Sequence, residues 1–479
     1  MAASLIITGA STIVERFDDP TSDRTGELVI RDGRVASGPV ASGRAASGPD
    51  VLSEAAPDVP SEALDAEGGI VTPGLINAHH HLLQSGFRTL PGTRGVPMRE
   101  WLPAMAAAYA AAGIDASLVG ATASVGLAES LLSGVTTTAD HQLNWPDPSA
   151  SSDPVGDTVA IARAIAEAAR DLGARLVFVR GSARDRPDAA AASADAIVRA
   201  LLPSASSGSG SSSGSGSATD NAAPSAGTTA DGMLQLAVGP AGVHSDSADT
   251  FRALGDIARR YGLRRRTQAN EQVDTEIALA QYGRRPLELL EEWGWLEPGV
   301  TIAHLCDVTD AEIARLAAAG VTATHAPGCD VPMGWGIAPV ARLRAAGIAM
   351  GLGTSGGGSN DAGHLLADAR LAMQVSGLVG PALPARDVLA MATSGGAAGL
   401  GRADLGILSP GSAGDACVWD VSGIADAGVA DPVSGLLWAN PGRRPRHVIV
   451  AGRVVVRDYR LVTADESTLV AALRTRVGR

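Results

Sequence analysis

Aromatic residues are scarce in this chain: Phe, Trp and Tyr together make up 3% of 479 residues. Its interior must then be filled by aliphatic side chains and closely packed backbone, and the 58 glycines suit that. Basic residues are also short, with 38 Lys and Arg against 51 Asp and Glu and a net charge of -13. That balance argues against nucleic acid or an anionic membrane as the main partner. Cysteine is rare: Cys306, Cys329 and Cys417 are odd in number, far apart and without a CxxC pair. No disulfide framework is expected, which suits a reducing compartment. No run of 18 apolar residues occurs, and MAASLIITGASTIVERFDD has no basic stretch followed by an apolar core. The expectation is a soluble cytoplasmic protein without a signal peptide or membrane span.

What is present is a globular composition, 45% hydrophobic and 19% charged. The length suits a large body with an accessory domain. Residues 1–70 and 405–479 share a texture of short apolar runs broken by Gly and Asp, such as ELVIRDGRVAS and RHVIVAGRVVVRD. The two ends are expected to pair into one small β-sandwich domain. Residues 71–404 alternate eight apolar runs with Ala/Leu-rich helical stretches such as DTVAIARAIAEAARDLG. That alternation predicts an α/β fold, a (β/α)₈ TIM-type barrel. A doubly wound open sheet is the rival, but no GxGxxG follows the first strand. Ser37 to Pro60 reads as a mobile loop. The Ser/Gly tract at 203–231 reads as a flexible surface insertion.

Functional groups of such a barrel sit at the C-terminal ends of its strands. The first strand ends in His79-His80-His81. Alternation puts His79 and His81 on one side, facing the mouth at metal-ligand spacing, with His80 turned away.

The motif around them, VTPGLINAHHHLLQ, resembles the first-strand motif of the amidohydrolase superfamily. The similarity is to the branch holding cytosine, guanine and 8-oxoguanine deaminases and the s-triazine hydrolases, and is closest to the triazine hydrolases. It covers nearly the whole chain. TTADHQ resembles the second-strand segment, MGWGIAPV and GTSGGGSNDAG the last two barrel loops, and LGILSPGSAGDACVWD the C-terminal β segment.

The resemblance implies a metal held by both first-strand histidines, one histidine each after strands five and six, and often an Asp after strand eight. His79, His81 and His304 match three of these positions. Strand five departs: where the family reads H-x-H-x-x-E, this chain has Arg266-Thr267-Gln268-Ala269-Asn270-Glu271. Gln268 stands at the ligand position, and a neutral amide is a poorer zinc partner than imidazole. Arg266 shares its face. It either brings a positive charge into the barrel or pairs with a core carboxylate or solvent. Glu271 keeps its spacing and implies the family's proton shuttle. Strand eight also departs, with Ser355 in Gly353-Thr354-Ser355 where deaminases carry Asp; a hydroxyl has no base function at neutral pH.

The implied site therefore has Glu271, Ser355 and His304 at the chemistry. One Zn²⁺ per chain would be held by His79, His81, His304 and Gln268. Trp101, His141, Gln142, His325, Trp335 and Asp361 are candidate substrate contacts. His244 is a loop residue that is either solvated or a substitute ligand. The implied function is hydrolytic deamination or dechlorination at a ring carbon of a purine, pterin, pyrimidine or triazine, by a homodimer. The alternative is a metal-free relative, with Arg266 as the positive charge, that performs altered chemistry on a heterocycle or only binds one.

Overall fold

The computed structural model describes residues 4–37, 61–202 and 227–478. Most of the predicted mobile loop, Ser37 to Pro60, and of the predicted insertion at 203–231 lies outside the described residues.

All eight expected strands form. They are β1 (Leu75–His81), β2 (Val135–Gln142), β3 (Arg175–Ser182), β4 (Leu234–Pro240), β5 (Arg264–Ala269), β6 (Val300–His304), β7 (Thr322–His325) and β8 (Met350–Leu352). Each pairs in parallel with the next. Every residue of β1, β2 and β3 is buried, as parallel strands covered by helices require.

The barrel closes through a short detour. Gly353 N–H donates to His325 O at 2.9 Å and Thr354 N–H to His79 O at 3.1 Å. The chain then pairs Ser355–Gly356 with His80 and His81. A Cβ on Gly353 would lie 2.7 Å from His79 O, so any side chain there would push β1 away from β8.

The helices follow their sequence signals. In Pro154–Leu172, Asp153 caps the N-terminus by accepting from Gly156 N–H, and Gly173 ends the helix at φ 74°. Between them Ile161, Ile165, Ala168, Ala169 and Leu172 are buried, at the 3–4 residue spacing of one helical face. One buried cluster ties the first four strands to the segment after β8: Ile76, Ala139, Val177, Val179 and Ala237 pack with Ala397, Leu400 and Leu405.

Both chain ends build one nine-stranded sheet, where the sequence reading expected a small β-sandwich domain from the same two ends. The strand Ser4–Ile13 pairs with Ser61–Asp65 along its first half and with Ile70–Pro73 at its end, changing register around Ala10. A bidentate pair joins this unit to the barrel: Arg175 Nε and Nη2 reach Asp415 at 2.6 and 3.0 Å, with both side chains 4% exposed. No single helix among the described residues is long and apolar enough to cross a membrane.

Candidate active site

The mouth of the barrel gathers three histidines from two strands, β1 and β6. The His79 ring lies 4.8 Å from His81 and 5.2 Å from His304, centroid to centroid. His80 faces away, as alternation requires, with Nδ1 2.9 Å from Thr354 Oγ1 on the closing turn.

His81 Nδ1 donates to His141 O at 2.7 Å, which leaves its Nε2 as a lone pair. Nε2 of His79 is buried without a partner. Burial, and then the neighbouring histidines, push His79 well below its ordinary range; burial brings His81 down to about 4. Both are neutral imidazoles at neutral pH, the form that donates to a metal.

His304 ends β6 at φ 76° and Leu305 follows at φ 57°. Left-handed backbone at such residues costs on the order of 1–3 kcal/mol each and clusters at functional sites. Its Nδ1 donates to Asp330 Oδ1 at 2.6 Å; its Nε2 lies 3.0 Å from Gln268 Oε1 and 3.7 Å from Glu271 Oε1. Burial would raise Asp330, but the His304 charge and hydrogen bond outweigh it and hold Asp330 at about 2. Burial works against the cation on His304 too, yet Asp330 holds its pKa up. A carboxylate behind a ligand histidine fixes its tautomer and orientation. Sequence reasoning assigned Asp330 no role. Its only signal was the acidic residue closing THAPGCD.

Arg266 lies buried inside the barrel, and no carboxylate among the described residues receives it. One Nη2–H donates to Ala78 O, and Nη1 has no partner. Burial, with Arg264 adding to it, lowers the guanidinium to about 9.

Glu271 opens the helix Gln272–Tyr282 and is 1% exposed, and neither carboxylate oxygen has a hydrogen-bond partner among the described residues. Burial raises its pKa, which suits a group that takes up and returns a proton. Ser355 lines the same cavity at φ 54°.

These donors fit a divalent cation. Buried polar atoms without partners call for an ion or water, and here they are His79 Nε2 and the Glu271 oxygens. His79, His81 and His304 supply the imidazoles, with the Gln268 amide oxygen as a weak fourth donor. Ligand atoms of His304, Cys329 and Asp330 also lie within 4.8 Å of one another. That set fits less well, because Asp330 is spent on His304 and burial pushes the Cys329 thiol up.

The cavity in front of the histidines, about 170 Å³, is lined by His81, Trp101, Gln268, Glu271, Trp335 and Ser355, among others. Trp101 Nε1–H donates to Gly358 O at 3.0 Å, so its indole is a fixed wall. Trp335 stands edge-on to His304 at 5.1 Å, with its Nε1 unpartnered.

The other four expected contacts are not among the lining residues. His141 stacks behind His81 and bonds Gly239 O at 2.9 Å. Gln142 donates to Asn144 O. His325 is buried 3.5 Å from Asp330 Oδ2. Asp361 pairs with Arg94 and accepts from Thr89 N–H at 2.6 Å, which secures the rim loop. His244 reverses the solvated expectation: it lines the cavity with its side chain 8% exposed, because Asp274 draws it inward at 3.2 Å.

Comparison with known proteins matches this architecture. The Amidohydrolase family model covers residues 70–455. The 8-oxoguanine deaminase of Pseudomonas aeruginosa is 30% identical over 458 residues, 94% of each chain. A 5-methylthioadenosine/S-adenosylhomocysteine deaminase of Nitratidesulfovibrio vulgaris is 30% identical over 478 residues, 98% of this chain and 96% of that one. A mutant of atrazine chlorohydrolase from Arthrobacter aurescens, complexed with zinc and atraton, superposes with a TM-score of 0.83 at 30% identity, covering 99% of this chain and 100% of its own. On the family model, the relatives and the barrel together, the chain belongs to the amidohydrolase family.

Proposed function

We propose that this chain is a metal-dependent hydrolase of nitrogen heterocycles, in which water displaces an amino group, an amine or a halide from an electron-poor ring carbon. The observation that carries this reading is the cluster of His79, His81 and His304 in the barrel mouth, with the buried Glu271 carboxylate 3.7 Å from His304. The named activities of the relatives, on 8-oxoguanine, 5-methylthioadenosine and a triazine, support a heterocyclic substrate.

One zinc ion per chain on the three histidines would supply a Lewis acid that brings the pKa of water from about 15.7 toward roughly 7. Glu271 takes the proton from the attacking water and returns it to the ring nitrogen or leaving group. Its raised pKa allows both directions. Ser355 offers a hydroxyl without base function, so the proton traffic falls on Glu271. Trp101 and Trp335 hold a flat ring between them and the histidines.

Three unpaired cysteines support a cytoplasmic setting for this enzyme. The homodimer remains part of this reading through the resemblance to the family alone.

Elemental analysis of protein from zinc-replete medium tests the reading. A full equivalent of zinc that is lost in His79→Ala, together with hydrolysis of a purine, pterin, pyrimidine or triazine, is expected. Metal near zero would favour the metal-free alternative, in which Arg266 supplies the positive charge.

A further inference from the structure

A second set of donors lies directly behind the histidine cluster. β6 ends on His304, and the short helix Pro327–Asp330, which follows β7, brings Cys329 and Asp330 against it. One ligand atom from each of these three residues lies within 4.8 Å of the other two. His304 and Cys329 are 1% exposed and Asp330 has no exposed surface. An ion has a path to them, because Cys329 lines the cavity in front of the histidines.

Two atoms at this set are unsatisfied. Asp330 Oδ2 and His325 Nδ1 are buried, 3.5 Å apart, and neither has a hydrogen-bond partner among the described residues. Buried polar atoms in that state call for an ion or water. Donor chemistry decides which ion. A thiolate is a soft ligand that selects zinc and its softer congener cadmium over calcium or magnesium. His79, His81, His304 and Gln268 offer no sulfur, so sulfur coordination marks this set off from the first one. Ligands about 2.0–2.3 Å from a tetrahedral ion sit roughly 3.5 Å from one another, so closing the set takes side-chain movements of about 1 Å.

An ion here would disturb the catalytic cluster. Asp330 Oδ1 accepts from His304 Nδ1 at 2.6 Å and so orients that ring. An ion bound through Asp330 takes that acceptor away, and the Cys329 thiol gives its proton to solvent as the sulfur–metal bond forms. The feature that makes the set a poor home for the working ion thus makes it an inhibitory one.

We infer that His304, Cys329 and Asp330 form a second metal site, for a thiophilic divalent cation, either cadmium or zinc beyond the first equivalent. Filling it stops turnover by drawing Asp330 off His304. The site stands on its own donors; the inhibition rests on the hydrolase reading above.

The test uses full-length protein loaded with one zinc, freed of surplus metal and titrated with cadmium. A second equivalent should bind with zinc retained and with thiolate-to-cadmium charge-transfer absorption in the ultraviolet. Cys329→Ser should remove that absorption and weaken cadmium binding by at least about tenfold. Cys329→Ala covers the case in which the serine variant fails to fold. Cys306→Ser, which removes the other thiol beside Asp330, should keep both absorption and affinity. In assays on a purine, pterin, pyrimidine or triazine, cadmium or surplus zinc should inhibit the parent protein at concentrations at least about tenfold below those that inhibit Cys329→Ser. No absorption, absorption that survives Cys329→Ser, or cadmium that enters only as zinc leaves overturns the site. Unchanged turnover while the site fills overturns the inhibitory role. A protein that takes the second ion but hydrolyses none of these rings overturns the hydrolase reading and leaves the site standing.

Discussion

Gln268 Oε1 lies 3.0 Å from Nε2 of His304. The amide that replaces an imidazole is thus hydrogen-bonded to the nitrogen that a metal would use. A metal must break that bond, and it gains a neutral oxygen donor in place of a nitrogen. Gln268→His should therefore tighten zinc binding by at least about tenfold, measured by competition with a chelator. An unchanged dissociation constant would place Gln268 outside the metal's ligands.

Glu271 has both oxygens buried and makes no side-chain hydrogen bond among the described residues, with His304 Nε2 3.7 Å away. Glu271→Gln keeps the shape and removes the proton carrier. Turnover should fall by about 10²–10⁴-fold, with zinc content and melting temperature retained. A variant that keeps its rate would assign the proton transfer elsewhere.

Arg266 is a buried guanidinium whose one acceptor among the described residues is Ala78 O. An uncompensated buried charge is destabilising, and apolar replacements of buried charged groups often stabilise by about 1–4 kcal/mol. Arg266→Met should raise the urea midpoint. It should also tighten zinc, since a positive charge leaves the barrel interior beside His79. Loss of stability would instead show that the bond to Ala78 holds β1 and β5 together.

Asp415 and Arg175 are both 4% exposed and pair through two hydrogen bonds. Asp415→Asn keeps the volume but leaves Arg175 charged and poorly matched between barrel and end sheet. The cost should be about 3–5 kcal/mol, the range for breaking a buried pair, read from chemical denaturation. A cost near zero would mean that Arg175 finds water or Asp404 instead.

Much of this molecule was legible in the sequence. The eight short strand-like runs separated by segments of helical period specified the parallel barrel, because their regular alternation is the pattern of repeated strand–helix units. The His79–His81 spacing specified two side chains on one face, because strand periodicity is two. The order of residues also put Gln268 and Arg266 on one face of β5, and only the fold made that face the inner one.

Other features are properties of the folded chain alone. Asp330 reaches His304 from 26 residues away, and Asp274 reaches His244 from 30; no local pattern marks either contact. His141, Gln142, His325 and Asp361 occupy strand ends and loops like the pocket residues do, yet they point behind the histidines or to the rim. Local sequence sets which face of a strand a residue takes. Which residue fills the space across from it depends on closure of the barrel at Gly353, and on burial, which left Glu271 without a partner and held His244 against Asp274.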